Sequence, residues 1–131
     1  MYWFLKVIRQ YADFNGRARR KEYWMFMLFN LLFTFAIPYI GGYICSLLRI
    51  HTYNPIYLIV ALYVFALTIP QFAVSIRRLH DIGKSGYMVF ITFIPFIGSL
   101  WLIILMLKEG NPGPNKYGPD PKAVSNMSYI K

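Results

Sequence analysis

The chain reads as all-α, an integral membrane helical bundle of three transmembrane helices preceded by a short amphipathic N-terminal interfacial helix. Three observations carry that expectation. Apolar residues fill 57% of the 131 positions and charged residues only 15%, more apolar content than a small water-soluble domain can cover. That content is blocked: 23–48, 53–76 and 87–107 each lack Asp, Glu, Lys and Arg, and each reaches the roughly 20 residues a span requires. The cations collect at the ends of these runs, with Arg17, Arg19, Arg20 and Lys21 before the first and Arg77 and Arg78 after the second. Residues 1–121 form one membrane domain, followed by a flexible tail over 122–131.

The elements follow in order. At 100° per residue, Trp3, Phe4, Val7, Ile8, Tyr11 and Phe14 share one arc, while Lys6, Arg9, Gln10 and Asp13 lie opposite. This predicts a helix over 2–13, either lying in the membrane interface or packed on the loops. Asp13-Phe14-Asn15-Gly16 is the turn that ends it. The run 23–48 rises about 39 Å as a helix against a hydrocarbon core of about 30 Å, too long for a signal-peptide core, so it reads as an uncleaved anchor. Tyr23 and Trp24 begin it as interface aromatics. Cys45, the single cysteine, rules out an intramolecular disulfide and reads as a buried small hydrophobe.

The second span covers 53–76 and the third 87–107. Asn30 and Gln71 are costly in lipid and are expected to face neighbouring helices. Pro38, Pro70 and Pro95 are expected to kink theirs. Gly110 to Pro121 carries four prolines and cannot be a helix, so it reads as a structured turn region or linker.

Nine cations (Lys6, Arg9, Arg17, Arg19, Arg20, Lys21, Arg77, Arg78, Lys84) fall on one side of a three-span layout and five (Arg49, Lys108, Lys116, Lys122, Lys131) on the other. The positive-inside rule then puts the N-terminus and the second loop in the cytoplasm and the tail outside. A break at Ile94-Pro95-Phe96-Ile97-Gly98 is the alternative; it makes the third run a re-entrant hairpin and returns the tail to the cytoplasm. A net charge of +9 arranged in this way points to an anionic lipid surface as partner and away from nucleic acid. No charge sits at membrane depth, which argues against active transport by a single copy.

The densest polar stretch is Arg77-Arg78-Leu79-His80-Asp81-Ile82-Gly83-Lys84-Ser85-Gly86. Gly83-Lys84-Ser85 fails as a phosphate-binding loop, because Arg78 stands where its first glycine belongs. His80-Asp81 lacks further metal ligands, with His51 expected at the opposite face. Nothing holds a base or an oxyanion hole around Ser85. No cofactor, metal or catalytic residue is assigned, and the chain is read as a non-enzyme. Arg77 and Arg78 suit the C-terminal end of a helix, where the dipole favours cations, and Asp81 is one turn beyond Arg77.

Two readings of the basic motifs remain. They are topology signals and anchors, or they assemble into a polar platform of Asp13, Arg17, Arg19, Arg20, Glu22, Arg77, Arg78, His80 and Asp81. In the platform, carboxylates hold the arginines while spare guanidinium donors face outward to grip a lipid phosphate.

Three separated motifs carry a family resemblance. They are Tyr11-x-Asp13-Phe14-x-Gly16-Arg17-x-Arg19-Arg20-x-Glu22-Tyr23-Trp24, then Arg77-Arg78-Leu79-His80-Asp81-x-Gly83-x-Ser85-Gly86-Tyr87, then Gly110-x-x-Gly113-x-Asn115-x-Tyr117-Gly118-x-Asp120-Pro121. In order and spacing the chain resembles the small YhaH/YhaI-like bacterial inner-membrane proteins, a family of unknown function. Tyr87 stands where the family pattern also allows Trp. The resemblance implies a multi-pass protein of the bacterial inner membrane and brings no activity, cofactor or partner. The expected function is a non-enzymatic module interacting through its Arg-rich face with anionic lipids, an unknown membrane protein or further copies of itself. The alternative is a subunit of an oligomeric pore or carrier lined by Asn30, Gln71 and the Ser and Thr residues.

Overall fold

The computed structural model describes residues 2–50 and 55–123. Four α-helices and one 3-10 segment follow each other: α1 (Tyr2–Arg9), α2 (Arg20–Leu47), α3 (Ile56–Asp81), the 3-10 segment Gly86–Phe93 and α4 (Ile97–Leu107). Tyr53, His51 and most of the expected tail lie outside the described residues.

Helices α2 and α3 are long and apolar enough to cross a membrane, at about 42 and 39 Å. Neither is the core helix of a soluble fold, because only 6% and 22% of their apolar windows are buried. Phe35, Tyr39, Tyr57 and Phe65 stand exposed along them, as lipid-facing side chains do. The two helices pack antiparallel, joined in mid-length by Asn30 and Gln71 as their polarity requires. Asn30 Nδ2 donates to Gln71 Oε1 at 3.0 Å, and the Tyr63 hydroxyl donates to Asn30 Oδ1 at 2.9 Å. Thr34, Thr68 and Ser75 donate to carbonyls one turn back, so these hydroxyls are satisfied within their own helices.

Both long helices end in the same C-terminal arrangement. After α2, Ile50 N donates to Cys45 O and Arg49 N to Ser46 O, with Arg49 at φ 54°. After α3, Lys84 N donates to Leu79 O and Gly83 N to His80 O, with Gly83 at φ 72°. This is the Schellman geometry, which uses orphan helix carbonyls and favours glycine at the left-handed position.

The third apolar run does not form the single span expected over 87–107. A 3-10 helix occupies Gly86–Phe93, and the chain then reverses through Ile94-Pro95-Phe96. Phe96 adopts φ 63° and ψ −62°, with Ile97 N donating to Pro95 O at 2.8 Å. That is a γ-turn of the rare positive-φ kind, next to a proline that cannot extend a helix. The hairpin returns α4 along the 3-10 segment, so 110–121 reaches the end of the bundle carrying Arg17 and Asp81, where Asn111 N donates to Asp81 O at 2.8 Å. Residues 110–121 therefore lie at this end and not at the far end to which a straight span would carry them.

α1 is shorter than the expected 2–13. Phe4 stacks on Phe26 at 5.4 Å and meets Phe33 edge-on, and Val7 is fully buried. Its opposite face is engaged as well, as described below. The core, including Val7, Ala18, Phe26, Val74, Leu79, Leu105 and Met106, is gathered at the end of the bundle holding the charged motifs.

Gly98 is where the hairpin closes: a Cβ there would collide with the Ile91 carbonyl oxygen. Gly98→Ala should therefore force the 3-10 segment and α4 apart. The expected result is a lower midpoint in detergent thermal unfolding, whereas Gly42→Ala, which meets nothing, should leave it within about 0.5 kcal/mol of wild type.

Candidate functional site

At the packed end, three arginines are drawn inward. Arg17 is 8%, Arg77 2% and Arg78 0% exposed, a degree of burial that charged groups tolerate only when paired and hydrogen-bonded. Asp81 provides the central pairing. Its Oδ1 accepts from Arg17 Nε at 3.0 Å and its Oδ2 from Arg78 Nη1. Arg78 then reaches the C-terminus of α4, donating from Nε and Nη2 to Met106 O at 3.4 Å and from Nη2 to Lys108 O. It caps the carbonyls that the last turn of a helix leaves open, where the dipole is negative.

Arg17 holds the 110–118 loop in the same manner. Nη1 donates to Gly113 O at 2.6 Å and Nη2 to Asn111 O at 2.5 Å. Around this centre, Asn115 Nδ2 donates to His80 O at 2.9 Å. Tyr117 stacks on the His80 ring at 3.8 Å with 6° between planes. His80 Nδ1 lies 3.2 Å from Gly16 O, so that nitrogen carries the proton. The Tyr11–Trp24, Arg77–Tyr87 and Gly110–Pro121 motifs are thus one assembly.

A second buried group stands beside the first. Glu22, with no exposure, accepts from Arg77 Nη1 at 3.0 Å and from Lys6 Nζ at 2.5 Å. Gln10 Oε1 accepts from Arg77 Nη1 as well, at 2.5 Å. The polar face of α1 is turned into this network rather than away from it. Arg77 O accepts from Ala18 N at 3.0 Å, fixing the chain that leads into α2. Asp81 pairs with Arg78 and Arg17, while Arg77, the partner read from spacing, takes Glu22 instead.

Of the nine platform residues, Arg17, Glu22, Arg77, Arg78, His80 and Asp81 lie together at this end of the bundle. Asp13 does not join them: its Oδ1 caps Asn15 N at 3.1 Å. The donors of Arg17 and Arg78 face inward to carbonyls and carboxylates, which corrects the expectation that they face outward. Arg19 and Arg20 are half-buried and Lys21 exposed, and among the described residues these three make no ion pair. Together with Glu109, Gly110, Asn111 and Asp120 they line a cleft of about 540 Å³ between the start of α2 and the C-terminal loop.

Lys6, Gln10, Asn115 and Tyr117 were not among the candidates. The third motif marked the last two, but the first two carry no signal beyond their place on the polar arc of α1. In the cleft wall, Asp120 accepts from Lys122 N at 2.8 Å and Gly113 N at 3.2 Å. The Lys122 amide, followed by that of Gly113, holds its carboxyl below the ordinary aspartate value.

A small all-helical chain with two membrane-length helices and a buried arginine–carboxylate network at one end is the class that these features define. The chain belongs to the family described as protein of unknown function (DUF805), whose model matches residues 11–119. It is 42% identical over 122 residues to the inner membrane protein YhaH of Escherichia coli strain K12, covering 93% of this chain and 98% of that one. Inner membrane protein YhaI of the same strain is 42% identical over 126 residues, covering 96% and 100%. Its homologues are therefore inner membrane proteins of a family without assigned function. No solved structure matches.

Removing Asp81 would leave two buried guanidiniums without their shared carboxylate. Asp81→Ala should cost about 3–5 kcal/mol, the range for breaking a buried pair, and should release the 110–118 loop. Limited trypsinolysis in detergent should then cut after the exposed Lys116, a bond protected in the wild type. Gly110→Ala should act in the same direction, because its Cβ would collide with the Asp81 carboxylate.

Proposed function

We propose that this chain is a non-enzymatic, multi-pass module of the inner membrane that engages anionic lipid through Arg19, Arg20 and Lys21, with its N-terminus cytoplasmic. One observation carries the reading: burial commits Arg17, Arg77 and Arg78 to internal partners, while three adjacent cations at the rim of a cleft make no ion pair among the described residues. Guanidinium groups grip phosphate in a two-point fork, and each cation near an anionic leaflet contributes roughly 1 kcal/mol, about 3 in all. The abundance of cations at this end, counted with the positive-inside rule, supports its cytoplasmic side. α2 and α3 are the crossings, and the hairpin of 86–107 re-enters without crossing. The pore or carrier reading loses support, because Asn30 and Gln71 bond to each other within one chain.

Two measurements test this. In a Cys45→Ser background, cysteines at Lys84 and Lys116 should react with a membrane-impermeant maleimide from the same, cytoplasmic side; labelling from opposite sides would restore three crossings. In polymer-extracted native particles, Arg19→Ala/Arg20→Ala/Lys21→Ala should lower the ratio of anionic to zwitterionic lipid toward that of the bulk membrane. An unchanged ratio would remove the lipid-binding role.

A further inference from the structure

Below the cationic cleft lies a second opening. α2 packs along α3, α3 along the 3-10 segment and that segment along α4. This leaves a fissure between α2 and the hairpin, floored by α3 and lined on the hairpin side by Val89 and Thr92 as well as by α4. The resulting crevice of about 450 Å³ is lined by Tyr23 and Met27 of α2, several residues of α3, and Leu102 and Ile103 of α4. That volume is in the range of ligand pockets. The upper cleft uses Arg19 and Arg20 on α2 and Glu109 and Gly110 just beyond α4. Tyr23 follows Arg19 and Arg20 by one turn on the same face of α2, so the two openings are stacked along one seam.

The charges at the mouth do not cancel. Asp81 is taken by Arg17 and Arg78, and Glu109 is 3.9 Å from Lys122. Asp120, held by backbone amides, stays an anion in the cleft, which leaves a positive excess among Arg19, Arg20 and Lys21, none of which makes an ion pair among the described residues. Deeper in the seam, Gln71 lines the crevice. Its Oε1 is occupied by Asn30, while its amide nitrogen makes no hydrogen bond among the described residues. An amide donor left open at membrane depth is costly, and the ligand that relieves it must bring an acceptor. Gln71 lies six residues before Arg77, about 9 Å along the helix. The headgroup and interfacial layer is roughly 5–8 Å thick on each side of a bilayer, so an acceptor at its base is within reach of this amide. From Ser75 to Val64, both lining residues, the crevice runs about 16 Å along α3, about 10 Å of it beyond Gln71.

We propose that the α2–α4 seam holds one molecule of an anionic glycerophospholipid. Its phosphate sits at Arg19, Arg20 and Lys21, an ester carbonyl accepts from the Gln71 amide, and an acyl chain lies in the crevice. This rests on the lipid-binding reading above and goes further, since it replaces diffuse attraction to a leaflet with a single-lipid site.

The test uses the full-length protein reconstituted in vesicles of equal phosphatidylcholine and phosphatidylglycerol, then released into mild detergent for native mass spectrometry. Wild type should retain one phosphatidylglycerol per chain, undisturbed by millimolar glycerol phosphate; displacement by that solute would mean a site for free phosphate compounds and overturn the lipid assignment. Thr68→Phe on the α3 floor and Ser99→Phe on the α4 wall each fill the crevice from an exposed position and leave the cations untouched. At least one variant that keeps the wild-type elution profile should lose retained lipid tenfold or more. If both keep the lipid while the triple alanine variant loses it, the crevice holds no chain, and only the surface attraction stands. If the triple variant also keeps it, the lipid-binding reading itself falls. Retention of both lipid classes in irregular number would overturn the single-lipid site.

Discussion

The pairing of Asp81 with Arg17 and Arg78 is the constraint on which the rest of the structure depends. One carboxylate at the last turn of α3 fixes two guanidiniums whose other donors reach the end of α4 and the loop beyond it. Without that shared anion, two buried cations would repel each other, and the carbonyls of Met106, Lys108, Asn111 and Gly113 would lose their donors together. A buried ion pair contributes little net stability compared with an apolar replacement, because desolvation offsets most of the attraction. What this network supplies is placement: it makes one position of the C-terminal loop far better than any other.

Placement matters here because the ordinary driving force is weak at this site of packing. If lipid surrounds α2 and α3, apolar contact between helices gains little over contact with acyl chains. Polar pairs in mid-bundle, Asn30 with Gln71 and Tyr63, and the ionic network at one end then carry the specificity of the arrangement. The apolar core is correspondingly local, confined to the end where α1, the start of α2, the end of α3 and α4 meet, while the far ends of α2 and α3 keep Tyr39, Tyr57 and Phe65 exposed. The same arrangement divides the cations by role. Arg17, Arg77 and Arg78 hold the protein together, and Arg19, Arg20 and Lys21 remain available at the rim of the cleft.

Much of this was legible in the chain. The two long helices follow from charge-free runs bounded by cations, and the facing of Asn30 and Gln71 toward a neighbouring helix from the cost of amides in lipid. The proximity of Glu22 to Arg77 followed from placing both at one membrane face. The partners of Asp81 were not legible: spacing points to Arg77, whereas the structure pairs it with Arg78 and with Arg17, which is 64 residues away in sequence. Nor could the polar arc of α1 reveal that Lys6 and Gln10 turn toward Glu22 and Arg77, since periodicity gives a face and not its neighbour.

The sequence by itself determined the class of protein, the two long helices, and the end of the bundle at which charge accumulates, because hydropathy and charge act over a few residues. Only the tertiary structure decided that the third apolar run folds back at Phe96, and that the C-terminal loop joins the N-terminal motif. It also decided which arginines are consumed and which stay free. Those outcomes depend on buried donors finding acceptors across the whole chain, and a local pattern cannot encode which distant carbonyl a guanidinium will reach.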